Sequence, residues 1–164
     1  MKDLFEQIKH NHHFTPPLPQ ARIAELEAQL GFNLPADLKE FYGLCNGAML
    51  FPDRGGWRYR FVPLEEMRRV RIDVLGVDED FGDVPTASWY SLCDVQDGNF
   101  VAIDLASTNG SFSWIIDCFH EEFGLGPIIA LSFTEFVERA LKSNGDYFWL
   151  KPGRRSYGHT WKPE

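Results

Sequence analysis

IAELEAQLGFNLPADLKEFYGLCNG, Ile23 to Gly47, reads as two short helices joined by a corner. Ile23, Leu26 and Leu30 fall at i, i+3 and i+7, one apolar stripe on a 3.6-residue period. Gly31 follows the last of them, where a left-handed cap costs least. Pro35 sits where the first turn of a helix tolerates a missing N–H, and Leu38, Phe41, Tyr42 and Cys45 then share one face. Asn46-Gly47 ends the second helix, since both residues accept positive φ.

Outward from this pair the pattern turns to strands. Met49 to Pro52 is a short apolar run, Asp53 to Gly56 is turn-like, and Trp57 to Val62 alternates aromatic and basic residues as a strand does. Pro63 to Met67 opens a short helix, with proline early and acids in the first turn. Residues 73–88 are acidic and punctuated by Gly and Pro, the composition of an exposed loop. Trp89 to Asp94 and Asn99 to Leu105 flank Val95 to Gly98, a hairpin with Asp-Gly in its turn. Asn109-Gly110 turns the chain into a third strand, Ser113 to Phe119, and Ile128 to Leu131 is a further buried strand or the lead-in to a last helix. Ser132 with Glu135 forms a capping box for that helix, whose stripe is Phe133, Phe136, Val137, Ala140 and Leu141 and whose stop is Asn144-Gly145. Helices at both ends of a mostly antiparallel sheet make an α+β fold, and 164 residues suit a single domain.

With 44% hydrophobic and 15% aromatic residues the chain is a packed globule, not a disordered one. No apolar run approaches the roughly 20 residues of a membrane span, and MKDLFEQIKHNHHF lacks a signal-peptide core. Cys45, Cys93 and Cys118 are odd in number and widely spaced, which reads as free buried thiols in a reducing compartment, hence a soluble cytoplasmic protein. The net charge of −8 is unevenly spread. From Asp73 through Glu138 there is no Lys or Arg, while the stretch holds thirteen acids, among them Asp78, Glu79, Asp80, Asp83, Glu121 and Glu122. Arg68, Arg69 and Arg71 precede it, and Arg139, Lys142, Lys151, Arg154 and Arg155 follow. Such a stretch is either a solvated surface partly neutralised by these flanks or a footprint for a basic partner. Its sign opposes nucleic-acid binding.

The order Leu30-Gly31, Leu34-Pro35-x-Asp37-Leu38-Lys39-x-Phe41-Tyr42, Asn46-Gly47 resembles the opening of the SUKH superfamily, which includes the fungal cell-wall assembly regulator. Leu92-Cys93-Asp94, Asp97-Gly98-Asn99 and Ile103-Asp104 resemble that family's central hairpin, and Ser132 to Phe136 its closing helix. The resemblance covers about residues 18–142. It implies one α+β domain with a mostly antiparallel sheet packed against N- and C-terminal helices. It divides the chain into a helical extension (1–17), the SUKH-like domain (18–145) and an aromatic, basic tail (146–164). The extension with His10, His12 and His13, and the tail, depart from the family pattern. Bacterial members are often immunity proteins that neutralise toxins, frequently nucleases, and fungal members are regulatory interaction proteins. The family shares no catalytic residues that would carry over.

Several constellations point elsewhere. His10, His12 and His13 with Asp3 and Glu6 supply metal-ligand types, but a polar terminal helix explains them. Asp94 to Asn99 resembles the start of a calcium loop, yet Leu105 stands at its twelfth position and a hairpin turn uses the same residues. Cys118, His120 and Glu121 offer a thiol, an imidazole on the same strand face and an acid, without a second Cys/His pair at zinc spacing or an orienting group. Gly124-x-Gly126 is a lone fragment of a phosphate loop. Trp57, Trp89 and Trp114 read as core or sheet-face residues, and Tyr147, Phe148, Trp149, Tyr157 and Trp161 as a tail that packs back or meets a partner.

The expectation is a non-enzymatic protein-binding domain, an immunity protein that occludes a basic toxin. Asp78, Glu79, Asp80 and Asp83, joined by Glu121 and Glu122, would pair with its Lys and Arg side chains, without cofactor, metal, nucleic acid or membrane. The alternatives are a regulatory or scaffolding domain of the cell-wall assembly regulator type, and a small metal-dependent or Cys/His hydrolase using Cys118, His120 and Glu121.

Overall fold

A computed structural model describes residues 1–53, 56–79, 86–153, 156–160 and 162–163. The chain runs α1 (Lys2–Ile8), β1 (His13–Phe14), α2 (Gln20–Leu30), α3 (Ala36–Leu44), β2 (Ala48–Leu50), β3 (Tyr59–Phe61), α4 (Val70–Leu75), β4 (Trp89–Asp94), β5 (Phe100–Asp104), β6 (Ile115–Cys118), β7 (Ile128–Ala130), α5 (Phe133–Lys142), β8 (Gly158–His159) and β9 (Lys162–Pro163). Short 3-10 turns stand at Leu64–Glu66, Leu105–Ser107, His120–Glu122 and Phe148–Leu150. Strands β1 to β7 form one antiparallel sheet in sequence order, and β8 pairs with β9. The fold is α+β in a single domain.

The opening helix pair forms as read, with its second helix bounded differently at both ends. Gly31 caps α2 in the left-handed region at φ 74°. Pro35 stands one residue earlier than expected, as the extended N-cap of α3 rather than inside its first turn. Asn46 stays out of the left-handed region, and Gly47 alone of the two takes positive φ, at 108°. Helix α3 has already ended at Leu44, with Cys45 extended at φ −159°, so Asn46 is not called on to cap it and its side chain is engaged elsewhere. Its Oδ1 accepts the Leu64 N–H at 2.9 Å and its amide donates to Glu65 at 2.7 Å, tying α3 to the 3-10 turn after β3.

Both sheet faces are covered over the central strands, so those strands read as continuous apolar runs and not as alternations. On one face Leu38, Phe41 and Tyr42 of α3 and Phe133 and Phe136 of α5 pack with Phe61, Leu92, Val101, Ile103 and Ile115. Asp37, itself buried, clamps the two helices: its Oδ2 accepts the Thr134 N–H at 2.8 Å and the Thr134 hydroxyl at 3.1 Å. On the other face Val70 and Val74 of α4, with Phe123, cover Trp89, Ala102, Ile116 and Cys118. Helix α4 corrects the reading of residues 73–88 as an exposed loop, since Asp73, Val74 and Leu75 are helical. Six residues with an i, i+4 pair of valines are too few to show a period; the helix is held by the sheet beneath it and stopped by Gly76 at φ 74°.

Strand β1 gives no sequence signal, because two residues gain their conformation by pairing with Met49 and Ala48 rather than from a side-chain pattern. The strands expected over 57–62 and 113–119 shrink to β3 and β6. At α5, Ser132 Oγ accepts the Glu135 N–H at 3.1 Å, but the Glu135 carboxylate reaches back to the N–H of Leu131, at 2.8 Å, instead of to Ser132 itself. The tail packs back: Phe148 and Trp149 are buried in the main core, and Trp149 stacks on Tyr147 at 5.2 Å. Arg154, Arg155 and Trp161, expected to join it, lie outside the described residues.

The N-terminal segment is locked by a histidine. The Phe51 N–H donates to His12 Nδ1 at 3.1 Å, and the two rings meet edge to face at 4.9 Å. Burial holds the His12 imidazole below its ordinary value of about 6.5, opposed by the charge of Asp53 and helped by His13. The folded state therefore favours the neutral ring, and the stability this provides is full above about pH 6.5 and is lost as pH falls through the depressed value. Urea midpoints between pH 7.5 and 5 are expected to fall more steeply for the parent than for His12→Gln, which cannot titrate; equal slopes would refute this role.

Candidate partner-binding surface

The base-free stretch does not form one uniform acidic face. Its first acids are met by the arginines that precede it. Asp73 accepts two bonds from the Arg68 guanidinium and one from the Ser91 hydroxyl. Arg69 Nη1 donates to the Asp78 carboxylate at 2.9 Å and to its carbonyl at 3.0 Å. Buried Arg71 donates to the Glu79 carbonyl and, at 3.2 Å, to the Thr86 hydroxyl. Asp104 is buried as well, accepting from Ser88 Oγ at 2.6 Å and from the Ala106 N–H at 3.0 Å. Of the expected contact residues, Asp78 is thus already ion-paired within the chain, Glu79 is exposed, and Asp80 and Asp83 lie outside the described residues.

Glu121 and Glu122 are exposed in the 3-10 turn that follows β6. The loop from Phe119 to Gly126 is held at both ends and in the middle. At its start the backbone N–H and the ring Nδ1 of His120 both reach Asn99 Oδ1, at 3.1 and 2.8 Å. In the middle Phe123 tilts onto buried Trp89 at 6.4 Å. At its end the Leu125 carbonyl is 2.8 Å from His159 Nδ1. Two apolar side chains flank the glutamates in the open, Phe119 at 37% and Leu125 at 53% exposure. Sequence reasoning misses both, since Phe119 reads as the end of a strand and Leu125 as part of turn punctuation. The available signal is a pair of large apolar residues bracketing acids between a strand end and a glycine. Phe123, from the middle of this corner, packs with Val70 and Val74 of α4 in the second core.

Cys118 lies buried with Trp89 and Ile116 while His120 is exposed, so the two do not share a strand face as expected. Burial, with Asp117 beside it, pushes the Cys118 thiol well above its ordinary value, which suppresses the nucleophilic thiolate. Cys45 is likewise pushed up to about 12 by burial. Asp94 Oδ1 accepts the Gln96 N–H at 2.8 Å, and Gln96 and Asp97 take φ of 73° and 54°, the geometry of a turn. Among the described residues no group of three His, Cys, Asp or Glu side chains is placed to hold a metal ion. Among them, too, no helix is long and apolar enough to cross a membrane. A groove of about 670 Å³ between α1, α2 and α3 carries Lys39 and Glu27 on its lining, paired with each other at 2.8 Å.

Among the described residues, these features define an α+β protein whose seven-stranded antiparallel sheet lies between a helical layer and the short helix α4, presenting carboxylates and apolar side chains at its rim. Residues 17–139 match the SMI1 / KNR4 family (SUKH-1), and the chain belongs to that family. It is 29% identical over 133 residues to the immunity protein YokJ of Bacillus subtilis (strain 168), an alignment covering 78% of this chain and 77% of YokJ.

Proposed function

We propose that this protein is a cytoplasmic immunity protein, without catalysis of its own, that neutralises a basic nuclease toxin by covering it. The observation that carries the reading is the acidic corner, where Phe119 and Leu125 stand exposed beside Glu121 and Glu122, in a chain related to YokJ. Carboxylates at a rim accelerate encounter with a basic partner more than they deepen affinity. A desolvated aromatic supplies the latter, which is the role of Phe119. Glu79 extends the negative border, and Asp78 does so less because Arg69 already neutralises it.

The test is binding to the product of a neighbouring toxin gene at low and high salt. Glu121→Lys with Glu122→Lys is expected to slow association about tenfold or more at low salt, with the difference closing at high salt. Phe119→Ala is expected to raise the dissociation rate without changing the salt dependence. Binding indifferent to salt and to charge reversal would sink the electrostatic part of the reading.

A further inference from the structure

We infer that residues 156–160 act as a brace that positions the acidic corner, with Tyr157 and His159 as its positioning residues. Strand β7 is one of the two edge strands of the sheet, and its outer backbone groups would be open to solvent or to another chain. The brace lies along that edge. The Tyr157 N–H donates to the Ile128 carbonyl at 3.1 Å, and His159 pairs with Pro127 in an antiparallel bridge. The Tyr157 hydroxyl donates to Glu135 Oε1 at 2.5 Å, while Oε2 of the same carboxylate holds the Leu131 N–H. One glutamate at the start of α5 thereby fastens both the end of β7 and the brace over it.

The brace then reaches past the strand to the corner. A carbonyl only accepts, so His159 carries its hydrogen on Nδ1 and donates to Leu125. The other anchors of the corner, Asn99 and Trp89, grip its first half, around His120 and Phe123. His159 grips the half that bears Leu125, and the Leu125 N–H in turn holds the Glu122 carbonyl at 3.0 Å, so docking of the brace sets the order of Glu122 to Leu125. The consequence for binding rests on the docking role proposed for the corner: a released brace leaves Leu125 and Glu122 less ordered, and the partner leaves sooner.

Amide hydrogen exchange on the full chain tests the coupling without any partner, so its failure is separable from failure of the toxin reading. The Glu122 and Leu125 amides, which donate to Phe119 and Glu122 carbonyls, are the reporters. His159→Ala is expected to speed their exchange roughly three- to tenfold, the population change that one hydrogen bond of ordinary net strength makes, with the amides of β4 and β5 unmoved. His159→Asn, whose side-chain amide restores a donor near Nδ1, returns the parent rates. Should His159→Ala fail to fold, Tyr157→Phe keeps the ring and backbone N–H, removes the hydroxyl bond to Glu135, and is expected to speed the same two amides. Unchanged Glu122 and Leu125 exchange overturns the inference, and so does acceleration shared equally by β4 and β5, which would mark a global effect.

Discussion

Phe136→Ala is expected to lower the free energy of unfolding by about 3–5 kcal/mol, the range for deleting a buried aromatic ring. Phe136 is fully buried, with ring centroids 5.9 Å from Tyr59, 6.0 Å from Phe61, 5.8 Å from Phe148 and 6.0 Å from Trp149. The ring thus joins α5, the third strand of the sheet and the C-terminal tail at one point. Truncation loses the transfer free energy of the ring and leaves a cavity. That cavity does not collapse easily, because its walls are fixed by their own bonds: the Tyr59 hydroxyl donates to the Asp146 carbonyl at 2.8 Å. At two to four degrees per kcal/mol for a chain of this size, the melting temperature should fall by roughly 6–20 °C. Phe136→Leu, which keeps much of the volume, should cost less than half as much. Urea unfolding of both variants checks the order; an alanine variant within about 1 kcal/mol of the parent would show that this junction does not hold the tail to the core.

The helix pair at residues 23–47 is legible because its information is local. A stripe, a glycine and a proline each act within one or two turns, and the family follows from short motifs standing in the right order. What escapes depends on residues far apart in the chain. Nothing near Asp73 or Asp104 says that Ser91 and Ser88 will donate to their carboxylates, so counting acids overstates how many stand exposed to a partner. Phe119 and Leu125 are ordinary apolar residues by composition; only the turn of the chain between β6 and β7 leaves them outside. Helix α4 escapes for the same reason in reverse, since its order comes from the sheet it covers. The Glu121–Glu122 pair is legible as exposed charge, but its apolar neighbours and its anchors are not.

Gly126 shows how a local motif misleads when the cause is tertiary. As part of Gly124-x-Gly126 it suggests a phosphate loop, yet the structure gives a steric reason. A Cβ placed on Gly126 would stand 1.7 Å from the Asp117 carbonyl oxygen and 2.9 Å from its carbon. Both atoms are backbone of the strand β6, so no flexible side chain can yield. Gly126→Ala must push the connection off the strand, and the Asp117 N–H bond to the Pro127 carbonyl, at 3.1 Å, goes with it. Overpacking costs typically 1–3 kcal/mol and a lost hydrogen bond about 1 more, so a loss of about 3 kcal/mol or above is expected. The damage should concentrate where β6 meets β7, and the displaced corner should weaken partner binding beyond the stability loss. Gly43→Ala is the matched control: Gly43 lies in α3, and a Cβ there would meet nothing within 4 Å, so alanine should stabilise by up to about 1 kcal/mol. Denaturation curves for the two variants should therefore move in opposite directions from the parent. Equal or same-sign shifts would contradict the close approach at Gly126, and with it the steric account of why the chain keeps a glycine there.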